Sequence, residues 1–129
     1  MIVPYIELGA SSAFSFFQSC LQPEDLARQA AKLGYPYCGI TDLNGIYGAP
    51  RFNLACKSQG IEGLVGARLN VSNLGALRIF CEDAQGYKNL CRILSIKHKS
   101  NLTLSSIIEH QKGLIFICRI HPESSFDLL

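Results

Sequence analysis

Chemistry on phosphate or carbonyl groups needs carboxylates, imidazoles or thiols that converge from neighbouring strand ends. This chain places few of them there. The apolar run Tyr5–Leu8 discharges into Gly9-Ala10-Ser11-Ser12, small residues with almost no capacity for metal binding or acid-base work. The run Tyr37–Thr41 ends at Asp42-Leu43-Asn44-Gly45, and Leu64-Val65-Gly66 ends at Ala67-Arg68. In a (β/α) barrel these C-terminal strand ends carry the catalytic groups. Asp42 and Asn44 suit Asx-type bonds that cap the following loop better than they suit a catalytic base. Of the three histidines, His98 falls in a basic helix end, His110 near the exposed end of a short helix, and His121 just before Pro122. None has a partner at i+2 or i+4, so they read as surface histidines. The six cysteines, at 20, 38, 56, 81, 91 and 118, form no C-x-x-C pair. Cys38, Cys81 and Cys118 lie in apolar strand-like runs, and Cys56 and Cys91 in helical patterns, as free buried thiols do. The residues by themselves imply no catalytic group, no metal and no cofactor.

The elements that must position these residues alternate. Pro23 with Glu24 and Asp25 opens a helix whose stripe is Leu26, Ala27, Ala30, Ala31 and Leu33, closed by Gly34. A second helix spans about 49–59, from Pro50 to Gly60, and a third about 84–96, with Tyr87, Leu90, Cys91 and Leu94 at helical spacing. Thr103 caps a short fourth helix through Glu109. Strands are expected over 5–8, 37–41, 63–71, 76–81 and 114–118, with Ser72-Asn73-Leu74-Gly75 as a turn that makes the third and fourth a hairpin. Phe14-Ser15-Phe16-Phe17 reads as core packing, since no basic residue is interleaved to make a stacking platform. The order β, α, β, α, β, β, α, α, β implies an α/β fold with a mainly parallel sheet.

Length and charge narrow the function. The 129 residues make one domain, 1–129, about half of the ~250 residues that a complete (β/α) barrel needs. The net charge of +2 is spread along the chain apart from Lys97-His98-Lys99, too weak a footprint for direct nucleic-acid binding. Those three residues read instead as a solvated helix end whose cations complement the dipole. No signal peptide and no membrane span are visible, and with isolated cysteines the chain reads as cytoplasmic and reduced.

Several runs resemble, in order and spacing, the N-terminal half of the PHP (polymerase and histidinol phosphatase) domain of bacterial DNA polymerase III alpha subunits. They are YIEL followed by SSAFSF, PEDLARQAAKLGY, GITDLNGIYGAPRF, ACKSQGI, LVGARL, EDAQGYKNLCRILS and LTLSSIIEHQKGLIFI. The Gly-Ala-Arg of LVGARL is most similar to the error-prone, mutagenesis-cassette type. The resemblance implies a PHP-type partial (β/α) barrel, about half of a TIM-like barrel with mainly parallel strands. It also implies metal ligands at four positions, which here hold Gly9, Ser11, Leu43 and Arg68. Gly and Leu cannot coordinate, Ser is a poor ligand, and Arg repels a divalent cation. Glu7, Asp42, Asn44 and Arg68 remain as residues of a relic site, with Arg68 expected to pair with Asp42 or Glu7, so that Arg68→Ala lowers stability.

The expected function is a catalytically silent PHP-like structural module of an error-prone polymerase III alpha-like protein. The full-length family is a DNA-directed nucleotidyltransferase, whose polymerase carboxylates lie far beyond residue 129. Partners would be the remainder of such a chain or other replication and mutagenesis subunits, with DNA reached indirectly, or a second copy pairing through the open barrel edge. Two other readings stand beside it: a metal-dependent PHP phosphoesterase or proofreading nuclease, and a stand-alone protein-interaction module.

Overall fold

The computed structural model describes residues 5–118. Five strands, β1 (Glu7–Ala10), β2 (Tyr37–Leu43), β3 (Glu62–Val71), β4 (Gly75–Cys81) and β5 (Leu114–Cys118), form one sheet in the order β1-β2-β3-β4-β5. Four helices, α1 (Pro23–Lys32), α2 (Ala49–Ser58), α3 (Ala84–Lys99) and α4 (Leu104–Ile108), connect them. β1, β2 and β3 run parallel, while β4 is antiparallel to both β3 and β5. The β3–β4 hairpin is therefore a full member of the sheet. Its turn uses left-handed backbone at Asn73 (φ 64°) and Gly75 (φ 85°).

Local chemistry accounts for the helix ends. Pro23 and Pro50 occupy first-turn positions, where a missing N–H costs nothing. Gly34 and Gly60 take φ of 76° and 71° after α1 and α2, the left-handed step that ends a helix. Asp83 caps α3 by accepting from Gly86 N at 2.7 Å, and Thr103 caps α4 by accepting from Ser106 N.

Register assigns the two faces. Residues directly opposite share a face, and successive residues alternate. Cys38 and Ile40 pack on Phe52 and Cys56 of α2 and on Ala27 and Ala30 of α1. Ala67, Leu69, Leu77 and Ile79 pack on Leu90, Ile93 and Leu94 of α3 and on Ile107 of α4. All four helices therefore cover one face. Each fully buried Phe, Ile or Leu there contributes about 1.5–3 kcal/mol relative to exposure.

The other face is strongly concave. A Cβ built on Gly39 of β2 would lie 3.0 Å from Cε1 of Phe80, two strands away on β4. A Cβ on Gly9 of β1 would lie 3.5 Å from Nη2 of Arg78 on the same β4. In a flat sheet three strand spacings measure roughly 14 Å, beyond an arginine side chain, so the sheet curls as a barrel wall does. Phe80 stays buried on this open side because Gly39 and Gly66 leave room for its ring. Ile115 and Ile117 of β5 continue the face and are 50% and 37% exposed.

Three expectations are corrected. The first strand is Glu7–Ala10, two residues later than the apolar run, because pairing with Cys38 and Ile40 fixes it. Phe16 and Phe17 are exposed rather than core, since they sit on the long β1–α1 loop, outside both packed clusters. Leu33 is exposed at the end of α1, past the turn that faces the sheet. No helix among the described residues is long and apolar enough to cross a membrane.

Candidate functional site

The C-terminal ends of β1, β2 and β3 converge on the concave face. Leu43 lies opposite Arg68, and Arg68 lies opposite Arg78 on β4. All three therefore point into the concavity, as does Gly9, whose missing side chain leaves space taken by Glu7 Oε1 and Arg78 Nη2. Three of the four positions that the resemblance marks, Gly9, Leu43 and Arg68, are thus brought together. Ser11 is turned aside and donates its hydroxyl to the Thr41 carbonyl at 3.2 Å. Glu7 accepts from Tyr5 Oη at 2.9 Å and from Gly9 N at 2.5 Å. The bond to Glu7 and its negative charge push the Tyr5 phenol above its ordinary pKa.

Arg68 donates to the side-chain carbonyl of Gln18, a neutral partner from the β1–α1 loop. Among the described residues it forms an ion pair with neither Asp42 nor Glu7. Alternation explains the miss for Asp42: it lies opposite Ala67, on the helix-covered face, whereas Arg68 lies on the concave one. The Nε atoms of both Arg68 and Arg78 are buried without an acceptor among the described residues. Arg78 was not legible as a site residue in the sequence. An arginine alternating with Leu77 and Ile79 reads as an ordinary outward polar position, and only the register sets it against Arg68.

Asp42 has a different task from the expected cap of its own loop. Its carboxylate is 1% exposed and reaches back to the β1–α1 loop. Oδ1 accepts from Ser12 N at 2.6 Å and Ser15 Oγ at 2.9 Å, and Oδ2 accepts from Ser12 Oγ at 2.8 Å. Ser15 Oγ in turn accepts from Leu43 N at 2.9 Å. Gly48, the residue before α2, admits this knot: a Cβ there would stand 2.7 Å from Asp42 Oδ2. The nearby helix N-terminus favours the negative charge. Asn44 adopts φ 56°, donates its N–H to the Arg68 carbonyl at 2.9 Å, and keeps Oδ1 buried without a donor among the described residues. Left-handed backbone suits Asn, so its place is explained by the turn.

A second clip fixes the outer end of the same loop. Arg51 of α2 donates to Glu24 at 2.7 and 2.8 Å and to Gln22 at 3.2 Å, and lies over the Phe14 ring at 5.8 Å. The Arg51 guanidinium lowers the Glu24 pKa and is itself raised. His98 is exposed in the last turn of α3, and His110 follows α4, far in sequence from the strand ends. His121 lies outside the described residues. Among those described, no three His, Cys, Asp or Glu side chains are grouped to hold a metal ion. Burial pushes the Cys38, Cys56 and Cys81 thiols up to about 11, so they resist ionisation.

A curled sheet with helices on one face and side chains gathered at the parallel strand ends defines a domain of the (β/α)-barrel type. The chain belongs to the PHP domain family, whose model matches residues 7–128. It is similar to error-prone DNA polymerases: 37% identical over 99 residues to that of Anaeromyxobacter sp. (strain K), covering 73% of this chain and 9% of the relative. The error-prone DNA polymerase of Rhodopirellula baltica is 30% identical over 117 residues, covering 86% of this chain and 10% of the relative. The chain thus spans about a tenth of the length of these relatives. Among solved structures, an amidohydrolase from Chromobacterium violaceum matches with a TM-score of 0.54 at 21% identity, over 73% of this chain and 34% of that one. A protein of Bifidobacterium adolescentis assigned as a metal-dependent phosphoesterase matches with a TM-score of 0.56 at 18% identity over the same shares. These two likenesses concern the fold.

Proposed function

We propose that this chain is a catalytically silent PHP module that serves an error-prone DNA polymerase-like protein as a structural part. The observation that carries the reading is the donor set at the strand ends. Gly9 and Leu43 supply no ligand atom, Arg68 brings a positive charge, and a second guanidinium, Arg78, stands opposite it. A phosphoesterase centre needs the reverse, anionic and imidazole donors that hold cations and acidify water. The two carboxylates nearby are engaged elsewhere, Asp42 by Ser12 and Ser15 and Glu7 by Tyr5 and Gly9. These residues do not fit a divalent metal.

The structural role follows from the open concave face. Ile115 and Ile117 present apolar surface there, and the remainder of a polymerase alpha-like chain is its proposed occupant. Elemental analysis of protein purified without chelator, together with turnover of a generic phosphomonoester with added Mn²⁺ or Zn²⁺, tests silence. The expected result is substoichiometric metal and no turnover. Stoichiometric metal with activity overturns the reading. Sedimentation of the chain alone adds a second check: the exposed face should drive self-association at high concentration, and a monomer throughout counts against an unfilled docking face.

A further inference from the structure

We propose that the outer face of α3 is a docking surface for the phosphate backbone of duplex DNA. This face lies on the helix-covered side of the sheet, away from the strand ends and the concavity. The net charge of +2 hides a segregation of charge. The 16 residues of α3 hold Lys88, Arg92, Lys97 and Lys99 and no carboxylate, whereas eight basic and ten acidic residues stand elsewhere in the chain. Lys88, Arg92 and Lys99, with Ser95 between the last two, recur every three or four residues and so form one stripe about 16 Å long. All are exposed, on the side of the helix opposite the buried Leu90 and Ile93. A solvated helix face ordinarily mixes both signs, and this one does not. The helix dipole accounts for cations in the last turn, but Lys88 and Arg92 stand beyond its reach and, at i and i+4, repel each other.

The protein leaves these cations available. Among the described residues none of them forms an ion pair. The carboxylates nearest in sequence, Glu82 and Asp83, precede the helix, and Asp83 is engaged as its cap. The buried Asn89 orients the stripe: it accepts from Arg92 Nη1 at 3.2 Å and donates to the Lys112 carbonyl at 2.8 Å, which sets the exposed Lys112 beside Arg92 as a fourth cation. The composition selects the occupant. Protein interfaces deplete lysine at their centres and rely on aromatic anchors, and membrane-surface helices need apolar residues beside their cations. The one exposed large hydrophobic residue on α3 among those described is Tyr87, outside the stripe. Single strands are gripped by aromatics interleaved with cations, which this stripe lacks. A rigid row of cations on a straight helix suits the regular phosphates of a duplex, where Lys and Arg fix position without reading sequence.

Fluorescence anisotropy of a labelled mixed-sequence duplex of about 20 base pairs, titrated with the chain over a range of potassium chloride, reads the surface directly. Four phosphate contacts predict a slope of log K against log salt near −3.6, a loss of affinity of about 150-fold between roughly 50 and 200 mM. Lys88→Gln and Arg92→Gln should each weaken binding several-fold and make the slope shallower by about 1. Their melting temperatures should stay level or rise, because both positions are exposed and the repulsion between them is relieved. Lys32→Gln and Lys57→Gln, which remove exposed cations at the ends of α1 and α2, should leave affinity and slope unchanged. No duplex binding at about 50 mM salt, or equal losses from the α3 variants and these two controls, overturns the proposal. Tighter binding of oligo-dT of the same length, of polyglutamate or of phosphatidylserine vesicles than of the duplex also overturns it, by assigning the face to a single strand, an acidic protein or a membrane.

Discussion

Asp42 offers the sharpest separation between a residue kept for chemistry and one kept for architecture. Asp42→Ala removes an acceptor for three bonds at 2.6, 2.8 and 2.9 Å and leaves the Ser12 N–H, the Ser12 hydroxyl and the Ser15 hydroxyl facing a small void. Hydrogen bonds to a charged group are each worth about 1.5–3 kcal/mol. Three would give roughly 4.5–9 kcal/mol, but the wild type must also desolvate a fully buried carboxylate, which costs several kcal/mol. The net loss is expected at about 3 kcal/mol, a large part of the ~5–15 kcal/mol that holds a domain together. Asp42→Asn keeps one acceptor oxygen but sets an amide N–H₂ against a donor, and should cost about half as much. Urea unfolding checks both: at an m-value of about 1.5 kcal/mol/M the alanine midpoint falls by roughly 2 M with the slope unchanged. Ser15→Ala, which also strands Leu43 N, should be non-additive with Asp42→Ala by at least about 1 kcal/mol. A loss below about 0.5 kcal/mol for Asp42→Ala, or strict additivity in that cycle, would refute the reasoning.

Two further outcomes follow from packing and ionisation. Gly66→Ala places a methyl group against the Ile79 carbonyl and 2.9 Å from Phe80 Cδ1, and should cost about 2–3 kcal/mol. Gly34→Ala, with open space but φ 76°, should cost about 1 kcal/mol; equal urea midpoints for the two variants would contradict this. Cys38, Cys56 and Cys81 keep their protons up to about pH 11 when folded, against 9.0 when unfolded. The raised folded value makes their contribution complete below pH 9, and it fades as pH climbs from there to about 11. Midpoints that do not fall between pH 8.5 and 10.5 would remove burial as the cause.

How much of this could be read beforehand depended on whether a residue's role is local. Pro23, Pro50, Gly34, Gly60 and Thr103 act within one turn, so the helix limits follow from them almost residue by residue. The position of the first strand did not, because Gly9 and Ala10 have weak strand preference and only pairing with β2 holds them extended. Phe16 and Phe17 look like core in composition, yet loop position decides their exposure. Gly9, Leu43 and Arg68 were linked by resemblance, but the Arg68–Arg78 opposition and the reach of Asp42 to Ser12 and Ser15 are long-range facts of register and loop closure. Local pattern carries no information about either.

The reversed strand β4 bears on the order in which the sheet assembles. Its partners on β3 are near in sequence, from Val71 opposite Gly75 to Gly66 opposite Phe80, whereas Glu7 opposite Cys38 and Tyr37 opposite Glu62 close loops across whole helices. Short loops close at lower entropic cost, so the hairpin is expected to form first and the parallel strands to add to it. Arg68 and Arg78 sit inside that early nucleus. Their mutual repulsion is then met at the folding barrier itself, and added potassium chloride is expected to speed refolding, which stopped-flow measurement reads.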